Sequence, residues 1–379
     1  MKVITDAFKH YLLSWKFQKR LLLVLSLLLL FLIGISILSS GFKLLGGGFA
    51  KTLFNITSDP FISLMAGMLA TVLFQSSSVT TSIIVGLVSA GTLPMGGAIP
   101  MIMGANLGTS VTNTLVSIGY INNTNNFKKA FAAATVHDFF NILAVAILLP
   151  LEIMTGIIEK MATSFSSALY GSMAGVKFSS PIKALIKPPV KFIKTLSVET
   201  FGADIAGIGM IILAGIVILV SLSMIVKTMK VVVESNKGEI INNALSKNGY
   251  ASILFGMLIT VIAQSSSITT SLLIPLAGTG VLSLAAIYPI TIGANIGTTA
   301  TALLAALTGN VAGLSIALVH LIFNLLATAI FYPNPTLRKI PVYLAEKLAE
   351  SIERTKMIGF GYVGGVFFAL PLVMIYISR

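Results

Sequence analysis

Two runs of four polar residues, Gln75-Ser76-Ser77-Ser78 and Gln264-Ser265-Ser266-Ser267, sit inside long apolar stretches. Each is followed by more hydroxyls, Thr80-Thr81-Ser82 and Thr269-Thr270-Ser271. Then come Gly104-Ala105-Asn106-Leu107-Gly108-Thr109 in one stretch and Gly293-Ala294-Asn295-Ile296-Gly297-Thr298 in the other. Between Phe61 and Ile118, and between Tyr250 and Gly309, there is no Asp, Glu, Lys, Arg or His. The available chemistry is neutral but dense in donors and acceptors. Amide N–H groups at helix N-termini, with a positive dipole end, suit an anion. Gln oxygens, Thr hydroxyls and freed carbonyls suit an alkali cation. An anion brought alone into such a place, with no Lys or Arg opposite, meets a prohibitive solvation cost. Cations travelling with it offset that charge, so coupled movement fits better than movement of the anion alone. No catalytic triad, metal cluster or nucleotide loop accompanies these residues, which argues against an enzyme. The chain has no Cys, hence no thiol chemistry and no disulfide.

The elements that must position these groups are legible from a repeat. The paired runs share one offset without gaps, and after a short length change His137-Asp138-Phe139-Phe140-Asn141 answers His320-Leu321-Ile322-Phe323-Asn324. One isolated Ser-Ser-Ser run can merely glue helices together. Polar runs copied in both halves mark a duplication. Each unit reads first as a spanning helix, near 21–42 and 203–226. A re-entrant hairpin follows, near 61–91 and 250–280, with the Gln-Ser-Ser-Ser run at its tip, because neither of its arms spans a bilayer comfortably. Next comes a broken helix, near 94–118 and 284–308, expected to unwind at its paired glycines. An intact helix, near 128–150 and 312–332, ends each unit. The predicted fold class is an all-α membrane protein of two inverted-topology repeats plus a C-terminal helix near 359–378. Its predicted parts are an N-terminal membrane repeat (1–150), an extracytoplasmic connector (151–200), a C-terminal inverted repeat (201–333), and a cytoplasmic segment with the final transmembrane helix (334–379).

Composition agrees with a membrane setting. Of 379 residues 56% are hydrophobic and 10% charged, with mean hydropathy +0.97, whereas soluble domains carry about a quarter charged residues. The apolar run Leu21–Leu38 is long enough to span. A signal peptide is disfavoured because the run is long, lacks a clear cleavage site and has a later counterpart. The net charge of +13 lies between apolar segments, where it orients a membrane protein and is no nucleic-acid signature. With the basic N-terminus taken as cytoplasmic, three crossings per unit and a final helix place the C-terminus outside, with Lys128, Lys129, Lys227, Lys230, Lys237 and the Arg338 to Lys356 cluster inside. The connector's Lys183, Lys187, Lys191 and Lys194 fall outside, against the positive-inside rule. Pro181, Pro188 and Pro189 make part of it irregular, with short interfacial helices expected. Among single residues, His137 and His320 are expected to serve the scaffold and Glu152, beside Pro150, to be solvated. Asp138, inside an apolar helix, is a functional candidate.

At these residues the chain resembles the type II sodium–phosphate cotransporter family, whose members carry a Gln-Ser-Ser-Ser motif in each of two inverted repeats. The resemblance extends through 99–110, 134–141, 148–152, Tyr288-Pro289 and Gly297-Thr298-Thr299, and leaves out little besides the connector and the N-terminus. It implies a secondary active transporter in a cell (inner) membrane, coupling inorganic phosphate to co-transported sodium ions by alternating access. It implies phosphate held by Ser76, Ser77, Ser78, Ser265, Ser266 and Ser267, with Asn106 and Asn295 nearby. It implies sodium ligands at Gln264, Ser265, Thr298 and Thr301, and by symmetry at Gln75 and Thr109. A third sodium of electrogenic animal members depends on positions matched by Asp138 and Asn141. An acidic residue of that third site is matched by Asn123, and the animal cysteine-bridged loop by a cysteine-free connector. The long animal cytoplasmic tail is missing, and in size the chain looks like a bacterial member. Another small oxyanion, a dicarboxylate, or a passive anion channel or exporter are the alternatives.

Overall fold

The computed structural model describes residues 15–171, 181–235 and 248–377, and among them no β-strand occurs. The first half comprises α1 (Trp15–Ile56), α2 (Pro60–Phe74), α3 (Ser77–Ala90), α4 (Met95–Gly108), α5 (Val111–Ile118) and α6 (Thr124–Thr155). The connector holds α7 (Ile157–Gly171) and α8 (Pro181–Phe201). The second half comprises α9 (Ala203–Ser235), α10 (Gly249–Ala263), α11 (Ser266–Gly278), α12 (Leu284–Ala306) and α13 (Val311–Phe331). Then follow α14 (Pro335–Arg354) and α15 (Met357–Ile377), which is π-helical over Val363–Ala369.

Five helices are long and apolar enough to cross a membrane: Gln18–Gly46 within α1, α6, Ile205–Thr228 within α9, α13 and α15. The four arms of the two hairpins, α2, α3, α10 and α11, have 15, 14, 15 and 13 residues, short of the roughly 20 a bilayer needs. Burial follows a lipid solvent. Leu22 on α1 and Ile205 on α9 are 67% and 63% exposed, while Ser82, Thr135, Asn141, His320 and Asn324 are buried completely. This is an all-α membrane protein.

Local chemistry starts the hairpins. Asp59 caps α2 by accepting from the Phe61 and Ile62 N–H groups at 2.8 and 3.0 Å, with Pro60 in the first turn. Asn248 does the same for α10 through Tyr250 and Ala251. The equivalent helices α1 and α9 pack along a glycine seam, where a Cβ on Gly41 would lie 3.0 Å from the Gly207 carbonyl.

The expected unwinding at the paired glycines does not occur. In the second half α12 runs unbroken through Gly293 to Thr298. In the first half only Thr109 and Ser110 interrupt, and both keep right-handed helical dihedrals. The glycines serve close approach instead. A Cβ on Gly104 would fall on the Leu64 carbonyl oxygen of α2, and one on Gly293 on the Ile253 carbonyl oxygen of α10. Gly67 and Gly256 return the contact, facing the Met101 and Ile290 carbonyls. Each hairpin's first arm is thereby seated backbone to backbone on α4 or α12.

The connector is more helical than its prolines indicate, since Pro188 and Pro189 lie inside α8. Glu152 is not solvated. It is 8% exposed, and its carboxylate accepts from the Ile158 N–H at 2.7 Å and the Glu159 N–H at 3.2 Å, closing the start of α7. Asn123 caps α6 through the Asn126 N–H at 3.1 Å.

Candidate functional site

The two hairpin tips are built alike. Each first arm ends on a glutamine in the left-handed region, Gln75 at φ 52°, ψ 29° and Gln264 at φ 54°, ψ 25°. These are the only non-glycine residues with positive φ among the described residues. A side chain there costs roughly 1–2 kcal/mol, so the fold holds it in place at both tips. The next residue, Ser76 or Ser265, is extended and caps the second arm, its Oγ accepting from the Val79 N–H at 3.3 Å or the Ile268 N–H at 3.4 Å. Ser77 and Ser266 then begin the second arm, buried to 4% and 3% exposure. Each tip therefore sets hydroxyls on the first turn of a serine-capped helix, and the N-terminal turn of a helix is a setting suited to an anion.

Each glutamine side chain is fixed at both ends. Its Nε2 donates to the Val72 or Val261 carbonyl, at 2.6 Å in both tips. Its Oε1 accepts from Thr112 or Thr301, at 3.1 Å in both, and both partners lie 37 residues along the chain. The structure thus brings Gln264 and Thr301 together as a pair. It also adds Thr112, which stands to Thr301 as Gln75 does to Gln264, so the repeat offset alone identifies it. Thr109 and Thr298 are buried and bond back to the Ala105 and Ala294 carbonyls of their own helices.

Contacts between the halves are exchanged. The second arm α3 packs on α12 and α13, and α11 packs on α5 and α6. Asn113 of α5 accepts from Thr270 at 2.9 Å and Ser271 at 3.3 Å on α11. No hydrogen bond joins the two serine runs directly among the described residues. The hairpins also differ: Thr260 and Thr269 share a 2.8 Å hydroxyl contact, whereas the Thr71 hydroxyl is buried without a partner.

Asn106 and Asn295 are occupied by the opposite half. Asn106 Oδ1 accepts from His320 Nε2 at 3.0 Å, and its Nδ2 donates to Asn324 at 3.2 Å. Asn295 Oδ1 lies 2.7 Å from His137 Nε2, and its Nδ2 donates to Asn141 at 2.7 Å. Asn141 also donates to the Asn106 carbonyl at 3.4 Å, which joins the two sets. All six side chains are at most 2% exposed. Asp138 faces elsewhere, its Oδ2 accepting from Tyr362 of α15 at 3.0 Å while Oδ1 is buried with no partner.

Comparison with known proteins bears on the whole of this arrangement. The family model for the Na+/Pi-cotransporter matches twice, over residues 30–176 and 217–343. The sodium-dependent phosphate transport protein 2A of Rattus norvegicus is 34% identical over 94% of this chain and 67% of its own length. The 2B proteins of Homo sapiens and Pongo abelii are each 33% identical over 95% of this chain and 65% of their length. The chain spans about two thirds of these relatives. No solved structure matches.

Proposed function

The chain belongs to the Na+/Pi-cotransporter family, and from that premise we propose that it couples sodium entry to uptake of inorganic phosphate by alternating access. The observation that carries this reading is the matched pair of tips, each with a left-handed glutamine, a capping serine and a threonine holding the glutamine oxygen. Phosphate is held by N–H groups and hydroxyls of the first turns of α3 and α11, with Ser76, Ser77 and Ser78 facing Ser265, Ser266 and Ser267 across the midplane. Sodium lies against the Gln75 and Gln264 oxygens with Thr112, Thr301 and Ser265, and Thr109 and Thr298 sit one helical turn before those threonines. Asn106 and Asn295 act from behind the tips by tying the halves together. The buried Asp138 Oδ1, which lacks a partner, supports a further sodium at α15. Asn141 joins that site only by releasing Asn295.

Uptake of radioactive phosphate into proteoliposomes tests the reading. Accumulation should require an inward sodium gradient, and an inside-negative potassium–valinomycin potential should accelerate it, because a third sodium with divalent phosphate carries net positive charge inward. Asp138→Asn keeps an acceptor for Tyr362 but removes the charge, so its slower uptake should not respond to potential. Sodium-independent equilibration would refute symport. A wild type indifferent to potential would remove only the third sodium.

The same proposal places the protein in the cell membrane with its halves inverted, its N-terminus cytoplasmic and α15 running outward. Arg379 itself lies outside the described residues. In this cysteine-free chain, Tyr376→Cys, at a side chain 79% exposed, should react with impermeant maleimide added outside intact cells. Ser351→Cys on α14 should stay unlabelled until the cells are opened. The opposite pattern would overturn the inverted assignment.

A further inference from the structure

Three lysines of the connector have no part in the tip site, yet they are gathered. Lys187, Lys191 and Lys194 lie on one face of α8 and line a cavity of about 350 Å³. Its other polar walls are Ser36 and Ser40 of α1 and Thr308, just beyond α12. Among the described residues no carboxylate lines it. Among the described residues none of the three ammonium groups has a hydrogen-bonded or ion-paired acceptor. Like charges at this spacing on a helix repel, and a row of three is retained at a cost unless an anion lies among them. The helix is held so that the row faces the cavity. Ile186 and Val190 are buried at 2% and 7% exposure, in the contact of α8 with α1 and α9. Leu185, Phe192 and Leu196 form an exposed apolar stripe on the side away from the lysines. That pattern belongs to a helix lying in the membrane interface with its cationic side turned to the headgroup layer and water.

We propose that this cavity is a second anion site, separate from the hairpin tips, that binds a phosphate group. Three ammonium donors on one helix face match the charge and the several oxygens of a phosphate, with the Ser36 hydroxyl in the same lining, while the Ser40 and Thr308 hydroxyls donate to backbone carbonyls. The site also accounts for basic residues kept in a segment that the crossing count puts outside, where the positive-inside rule disfavours them. Two sources share this chemistry: free inorganic phosphate approaching the transporter, and the headgroup of an anionic phospholipid. The inference rests on the membrane reading of the chain and needs no sodium.

The test uses the full-length protein in sodium-free choline buffer at low ionic strength, where the proposed tip site lacks its coupling ion. One arm titrates inorganic phosphate into protein in neutral detergent and follows thermal stability. The other compares retention of phosphatidylglycerol with phosphatidylcholine by native mass spectrometry. Wild type should respond in at least one arm, and that arm identifies the source. The triple variant Lys187→Gln, Lys191→Gln, Lys194→Gln should bind about tenfold more weakly or worse, while the triple arginine variant retains binding. If the glutamine variant does not fold, Lys191→Gln alone should show a smaller loss. Absence of a response in both wild-type arms, or a response unchanged in the glutamine variants, overturns the proposal. Either result leaves sodium-dependent uptake as a separate measurement, so failure here is distinct from failure of the transport reading.

Discussion

Alanine at Gly104 or Gly293 should leave little folded protein, a loss among the largest expected from a single added methyl group at the described glycines. Each glycine lies where its helix meets the first arm of a hairpin, and the added Cβ would fall on a main-chain carbonyl oxygen, of Leu64 or Ile253. A flexible side chain can swing aside from a new methyl group. A carbonyl inside a helix cannot move without disturbing its own ladder. Overpacking a core costs typically 1–3 kcal/mol, and here the arm must also separate from α4 or α12, which releases the reciprocal contacts of Gly67 or Gly256. The apparent melting temperature in detergent should fall by roughly 5 °C or more, with most of the material aggregated on size exclusion. Gly209→Ala on α9 is the control, because nothing stands within 4 Å of its added Cβ. Helix propensity alone should make that change neutral or slightly stabilising. Wild-type melting for Gly104→Ala would remove the close-packing account of the paired glycines.

The same glycines show where sequence reasoning stops. A duplicated Gly-Ala-Asn-x-Gly-Thr run reports that the backbone needs something only glycine permits, but two needs satisfy that description. One is freedom to unwind and the other is absence of a Cβ at a helix crossing. Spacing within one helix cannot separate them, because the deciding atom belongs to another segment. The tips were legible for the converse reason. Four polar residues in an apolar stretch too short to span have few places to go, so the two hairpins follow from local sequence alone.

Partnerships across the halves were the least visible part. Asn106 and Asn295 stand out as copied polar residues beside the tips, and a ligand role is the natural expectation for them. In the structure each is gripped by the histidine and asparagine of the other half, His320 with Asn324 and His137 with Asn141. Sequence offers no distance between residues so far apart in the chain. With α12 and α13 of one half against α3 of the other, this network gives the site a fixed centre. The hairpin tips are seated on it only through their arms. A buried network with all its amides engaged rigidifies what it joins, so motion in a transport cycle is expected in the arms rather than in these six side chains. Thr112 was a different omission. It is the repeat mate of Thr301 and needed only the offset already in use.

Glycine in place of Gln75 or Gln264 should separate a turn from a ligand, with loss of transport in a protein that still folds. Glycine takes positive φ without penalty, so the change relieves the strain at the tip. If the glutamines served only to reverse the chain, Gln264→Gly would be harmless or stabilising. Both halves nevertheless keep a long amide there, tied by Nε2 to a valine carbonyl and by Oε1 to a threonine hydroxyl. An amide oxygen accepting one hydrogen bond still has a lone pair for a cation. Hydrogen bonds to charged groups are worth roughly 1.5–3 kcal/mol, and a lost sodium ligand of similar worth raises the half-saturating sodium concentration by about tenfold or more. Gln264→Gly should therefore melt near the wild-type temperature and lose uptake at ordinary sodium concentrations. Thr301→Val, which frees the amide without removing it, should produce a smaller loss. Combining the two should add little to Gln264→Gly alone, because partners in one network do not contribute independently. The same order should hold for Gln75→Gly and Thr112→Val. Sodium dependence of uptake, measured across this set in proteoliposomes, decides the matter. A glycine variant with wild-type sodium affinity would reduce both glutamines to turn residues and leave the serines proposed to hold phosphate as the only chemistry at the tips.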